Sequence, residues 1–151
     1  MQFVNTMSGS GFSSVLQDDR QYIVLKRPVA VADNAPFSDG VLVGDTLYIA
    51  GHLGIDSSTG KPPETAEEEA TLLIDTFKRT IDAAGMSMDD LVFVQVHCSD
   101  VRLYDIFNSI YRTYFHGPYP ARIFLRAENL LFNARYQLMG IAVKSQKIQR
   151  G

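Results

Sequence analysis

The sequence predicts an α+β fold: one mixed sheet with two helices on one of its faces. Three observations lead there. The periodic segments run in the order ββαβαββ. Strands in pairs with only two interspersed helices are the pattern of helices segregated to one side of a sheet. A length of 151 residues suits one compact domain that can bury a sizeable core without staples. The sheet face left over needs a cover, and association of copies through it is the expected one.

Residues 1–34 read as an extension, partly flexible. Ser8-Gly9-Ser10-Gly11 and Ser13-Ser14 dominate residues 1–19, which hold too little apolar area to offset the entropy of ordering them. Residues 21–27 (QYIVLKR) are predicted to form a short strand against the domain, and 28–36 an irregular lead-in. Regular pattern begins after Phe37. Residues 41–43 and 47–50 read as a hairpin around Gly44-Asp45-Thr46, residues that tolerate turn dihedrals. Thr65 with Glu68 makes a capping box, and Glu67 and Glu69 suit a helix N-terminus as solvated charges. Ala66, Ala70, Leu73, Ile74, Phe77, Ile81 and Ala84 then recur at helical spacing until Gly85.

Residues 91–97 (LVFVQVH) are apolar enough for a strand covered on both faces. Asp100 caps a second helix whose inward residues are Leu103, Ile106, Phe107, Ile110 and Tyr114, ended by His116-Gly117-Pro118. Strands at 121–127 and 135–144 complete the domain, which spans 35–145 and leaves 146–151 as a tail.

Composition removes several function classes. With 46% hydrophobic and 21% charged residues the chain is neither disordered nor fibrous, and no apolar run approaches the ~20 residues of a membrane span. One cysteine precludes an internal disulfide, and three histidines argue against a multi-ligand zinc site. A net charge of −3 gives no basic field for nucleic acid, and Lys144, Lys147 and Arg150 read as a solvated tail. The first seven residues lack the basic and apolar regions of a signal peptide, so a reducing cytoplasm is the expected location.

Most candidate chemistry has a plainer explanation. His97 and Cys98 are neighbours on a strand and point to opposite faces, so they form no dyad; Cys98 reads as a small buried hydrophobe. No G-x-S-x-G elbow exists, and Gly40 and Gly44 are turn glycines. Arg122 stands out, opening the apolar strand Ile123-Phe124-Leu125 and sharing a face with Phe124 and Arg126. A guanidinium on a rigid strand suits bidentate capture of a carboxylate, and a surface ion pair is the competing explanation. If the last two strands pair, Arg122 and Gln137 come close together.

Several short motifs, in order, carry a further signal: Ala35-Pro36-Phe37-Ser38, the run from Gly44 to Gly51 (GDTLYIAG), Ala83-Ala84-Gly85 with Asp89-Asp90-Leu91-Val92, Phe107-Asn108-x-x-Tyr111, Pro120-Ala121-Arg122 and Gly140-Ile141-Ala142-Val143. Together they resemble the RidA/YjgF family, whose members are often called endoribonuclease L-PSP. The resemblance implies a chorismate-mutase-like fold, a homotrimer with a pocket at each subunit interface, no cofactor, and hydrolysis of enamines or imines such as 2-aminoacrylate to a 2-oxo acid and ammonia. It implies that Arg122 clamps the substrate carboxylate, that Gly51 and its loop lend backbone groups, that Asn108 and Tyr111 lie near the pocket, and that backbone around Phe124 orients the carboxylate.

Three positions depart from the family pattern. Gln137 replaces a glutamate thought to position water, Phe37 replaces a tyrosine, and His52 replaces a glutamine. An amide can hold a water but cannot take its proton, so roughly 10²- to 10⁴-fold of acid–base help is missing at Gln137 unless His52 supplies it. Two readings follow. The first is a deaminase with an altered substrate, in which Gln137 and His52 act at the reacting centre, Arg122 anchors, and Phe37 and Phe124 form an apolar wall. The second is a trimeric binder of small carboxylates without turnover. A ribonuclease is the weakest alternative, because the acidic chain lacks a basic cluster.

Overall fold

The computed structural model describes residues 4–6, 11–26 and 35–146. Eight strands, β1 (Val4–Thr6), β2 (Phe12–Gln17), β3 (Arg20–Leu25), β4 (Gly40–Val43), β5 (Thr46–Leu53), β6 (Leu91–Cys98), β7 (Ala121–Arg126) and β8 (Tyr136–Val143), form one sheet in the order β1-β2-β3-β4-β5-β8-β6-β7. Every pairing is antiparallel except β6 with β7, which is parallel and needs a crossover. That crossover contains α2 (Tyr104–Tyr111), flanked by single 3₁₀ turns. The other helix, α1 (Ala66–Ala83), joins β5 to β6.

The fold class is the expected one, and the sheet is larger than expected. The described part of the extension forms strands, with β3 pairing residue for residue with β4 from Arg20↔Val43 to Ile23↔Gly40. Asp39 secures that junction: its buried carboxylate accepts from the Leu25 amide at 2.8 Å. A positive φ at Asp18 makes the turn between β2 and β3. The polar Ser13-Ser14 run carries no strand pattern of its own; it is ordered by pairing with Val24 and Ile23 across that hairpin. The remainder of the extension, residues 1–3, 7–10 and 27–34, and the tail beyond 146 lie outside the described residues.

Helix α1 starts where the capping box puts it. Thr65 Oγ1 accepts from the Glu68 amide at 3.2 Å, and Glu68 reaches back to the Thr65 amide. Ala70, Leu73, Ile74, Phe77 and Ile81 are fully buried against Leu47 and Ile49 of β5, Val94 and Val96 of β6, and Leu138 and Ala142 of β8. Helix α2 is rotated from expectation. Phe107, Asn108 and Tyr111 are its buried residues, while Leu103, Ile106, Ile110 and Tyr114 pack only partly against the core. Asn108 turns inward because it has a charged partner there, described below.

One acidic residue also departs from its expected role. Glu67 and Glu68 are solvated, but Glu69 is fully buried. Its carboxylate accepts from the Arg135 guanidinium at 2.8 Å, from the Arg135 amide at 2.6 Å and from the Tyr136 amide at 3.4 Å. A buried carboxylate requires such partners, because desolvation is otherwise prohibitive. Gly54 lets β5 pass close by, since a Cβ there would collide with the Glu69 carbonyl.

The helices cover one sheet face only. Among the described residues, strand β6 is therefore covered on one side: Val94, Val96 and Cys98 are buried under the helices, while Phe93, Gln95 and His97 are half-buried on the open side. Tyr48, Ile123, Leu125 and Val143 are exposed beside them. Among the described residues no helix is long and apolar enough to cross a membrane.

Removing the Glu69 side chain strands the Arg135 charge and two amides. Glu69→Ala is expected to cost about 3 kcal/mol and to lower the melting temperature by roughly 6–12 °C in a calorimetric scan. Glu69→Gln keeps an acceptor for the amides and loses less.

Candidate functional site

Arg122 projects from the edge strand β7 toward α2. Its Nη1 donates to Asn108 Oδ1 at 2.8 Å, and Nη2 lies 3.5 Å from the Tyr104 hydroxyl. The guanidinium carbon sits 5.0 Å from the Tyr111 ring centroid, 5.4 Å from Phe124 and 5.7 Å from Tyr104. Helical spacing explains the construction: positions 104, 108 and 111 fall on one face of α2, and alternation sends Arg122 and Phe124 of β7 up to meet them. Phe107 backs the cage through edge contact with Phe124 and stacking on Tyr111. Three aromatic faces attract the cation, and one amide oxygen fixes its plane. Among the described residues no carboxylate pairs with it, so its remaining N–H donors can take a bidentate anion.

Tyr111 completes the cage in an unusual state. Its hydroxyl is buried with no hydrogen-bond partner among the described residues. Burial pushes this phenol up to about 12, with the Arg122 charge opposing the shift.

Gln137 lies elsewhere. Strand β6 separates β7 from β8, so Arg122 and Gln137 are not on neighbouring strands. They also point to opposite faces, Arg122 toward α2 and Gln137 with Met139 and Ile141 to the open side. The pairing expected of the last two strands is therefore corrected, because the final strand inserts into the middle of the sheet. Gln137 Oε1 instead meets His97 Nδ1 at 3.1 Å, and His97 Nε2 meets Gln95 Nε2 at 2.7 Å. Gly51 makes room on the other flank: a Cβ there would fall 2.7 Å from Gln137 Nε2.

His52 faces away from the Gln137 cluster, on the helix side of the sheet. The β5–β8 register shifts between Ile49 and His52, and that bulge turns the imidazole under α1. Nδ1 is 2.6 Å from the Ala50 carbonyl, Nε2 is 2.8 Å from Thr80 Oγ1, and the ring packs edge-on against Phe77. Within the chain, this histidine is a buried core residue that shares the helix side with Arg122, under α1 instead of α2, and is opposite in direction to Gln137. Phe37 stands half-exposed in the loop before β4. The Cys98 thiol donates to the Asp100 carbonyl at 2.8 Å and is pushed up by burial, which makes it a poor nucleophile. Among the described residues no group of three or more His, Cys, Asp or Glu is arranged to hold a metal ion.

Sequence reasoning missed Tyr104, His97 and Gln95. The spacing 104, 108, 111 was the available signal for the first. Nothing local signals the other two, since their meeting with Gln137 depends on the register His97↔Gln137.

The state of Tyr111 has a measurable consequence. Between the ordinary phenol value near 10 and the shifted one, the folded protein keeps a proton that the unfolded chain has released, so stability falls as pH rises above about 10. Tyr114 and Tyr136 are also raised, chiefly by burial, and contribute in the same direction. Urea midpoints measured from about pH 9 to about pH 12 are expected to fall. Tyr111→Phe should flatten that fall and, by removing an unpartnered hydroxyl, cost little at neutral pH.

Comparison with known proteins gives this geometry a family. The family model described as endoribonuclease L-PSP matches residues 27–144. A 2-iminobutanoate/2-iminopropanoate deaminase from Mus musculus is 33% identical over 125 residues, 82% of this chain and 90% of its own. A RutC family protein from Saccharolobus solfataricus is 33% identical over 111 residues, covering 73% and 88%. Among solved structures, RidA from the Antarctic bacterium Psychrobacter sp. PAMC 21119 superposes with a TM-score of 0.70 at 28% identity, over 78% of this chain and 94% of its own. A match over most of the chain makes this protein a member of the endoribonuclease L-PSP family, the RidA/RutC proteins.

Proposed function

We propose that this protein hydrolyses an enamine or imine bearing a carboxylate, at a site completed between copies of the chain. The observation that carries the reading is Arg122, a guanidinium caged by three rings, oriented by Asn108 and with no carboxylate paired to it among the described residues. Membership beside proteins named as 2-iminobutanoate/2-iminopropanoate deaminases supports the reaction class.

The chemistry asks little of the protein. An enamine such as 2-aminoacrylate tautomerises to the imine, water adds to the imine carbon, and the carbinolamine expels ammonia to leave the 2-oxo acid. Holding the carboxylate and placing the carbon are the main contributions, and positioning alone can be worth several kcal/mol. Arg122 supplies the anchor. Its cage is already formed, so little side-chain entropy is lost on binding.

Gln137 cannot serve the same substrate from its own chain, because it faces the open side of the sheet. For the two to share a substrate, the edge strand that carries Arg122 must meet the open face of a neighbouring copy, whose Gln137 then approaches it. The exposed Tyr48, Ile123, Leu125 and Val143 provide apolar area for that contact, and a homotrimer is the assembly this reading calls for. A binder of small carboxylates that does not turn them over is the second reading. It is favoured by one observation, that the amide of Gln137 can accept no proton.

Both readings are tested by generating 2-aminoacrylate in situ and following release of ammonia and 2-oxo acid. Wild type should exceed the uncatalysed rate, and Arg122→Ala should lose roughly a hundredfold of that acceleration. Sedimentation should give the mass of three copies. Wild-type release at the uncatalysed rate, together with a pyruvate-dependent rise in melting temperature, identifies the binder.

A further inference from the structure

On the open sheet face, three polar side chains form a line across β6 and β8: Gln95, His97 and Gln137. Their hydrogen bonds run in one direction. Gln95 Nε2 is an amide donor, so His97 Nε2, 2.7 Å away, accepts. A neutral imidazole that accepts at Nε2 carries its proton on Nδ1, which donates across 3.1 Å to Gln137 Oε1. One tautomer satisfies both contacts, whereas an imidazolium would set an N–H against the Gln95 amide nitrogen. The Gln137 oxygen is thereby engaged, and the end left without an acceptor among the described residues is its Nε2 amide, which lies over Gly51. Gly51 leaves the space that this end of the side chain occupies.

We propose that this relay makes Gln137 a fixed hydrogen-bond donor, so that the ligand of this protein carries an acceptor oxygen beyond the carboxylate held by Arg122. His97 is the positioning residue: it decides which end of the Gln137 amide faces the site. A carboxylate at position 137 would present an acceptor there, suited to holding a water. The amide, oriented as it is, suits a carbonyl or carboxylate oxygen on the far end of the substrate, and the substrate class becomes 2-imino or 2-enamino acids with a second oxygen function. The proposal rests on the reading that Arg122 and a neighbour's Gln137 share a site.

Calorimetric titration of the full-length protein with three five-carbon 2-oxo acids tests it: 2-oxopentanoate, 2-oxoglutarate and the 5-methyl ester of 2-oxoglutarate. Wild type should bind the diacid and the ester about five- to tenfold more tightly than 2-oxopentanoate, the worth of one hydrogen bond. His97→Leu should bring these ratios toward one, and His97→Asn, whose amide can donate as Nδ1 does, should restore them. A purely structural role for His97 would weaken all three ligands together and leave the ratios unchanged, which overturns the proposal. So does equal affinity of wild type for all three, or preference for the diacid without the ester, which would indicate charge alone. Binding of none of them, in wild type, defeats the carboxylate reading itself.

Discussion

The buried carboxylate of Glu69 is the interaction on which the rest of the arrangement depends. It accepts from the Arg135 guanidinium and from the amides of Arg135 and Tyr136, so the first turn of α1 grips the start of β8. Strand β8 is inserted between β5 and β6, and it is the last to be added in chain order. Side chains along a strand alternate, so a slip of one residue would send Gln137 into the core and Leu138 to the open face. Anchoring residues 135 and 136 to a helix that is itself fixed by its capping box excludes that slip. The position of Gln137 beside His97 is thus specified from α1, far from either side chain in sequence.

Much of this architecture was legible before any coordinates. The run from Ala66 to Ala84 announces α1 because its apolar spacing, capping box and terminal Gly85 agree. Arg122 was legible for the opposite reason: a cation in an apolar strand breaks a local rule, and such breaks concentrate at sites. What could not be read depended on pairing. The serines of β2 have no strand pattern of their own and are ordered by their neighbours. Glu69 looked like its two solvated neighbours, and only the arrival of Arg135 at the start of β8 shows why it is buried.

The two histidines illustrate the same limit from both sides. His52 was placed near the site on its sequence neighbours, yet the irregularity in β5 turns it beneath α1, where Thr80 and Ala50 hold it. His97 was dismissed as a partner of Cys98, correctly, since alternation separates them. That same alternation sends it to the face of Gln137, and the register between β6 and β8 makes the meeting. A bulge and a register are properties of paired backbones. Neither has a signature in one strand's sequence.

The sheet divides the chemistry between its faces, and this division has a physical logic. On the helix side, Arg122 can be caged by aromatic rings because α2 is there to supply them. On the open side, an uncharged amide and a neutral imidazole form a chain that can be covered by a neighbouring subunit at modest desolvation cost. Were a carboxylate present at position 137, covering that face would carry a heavier penalty unless the substrate or a water compensated it. A glutamine at this position lowers the electrostatic cost of covering the face, and it offers no group able to take a proton.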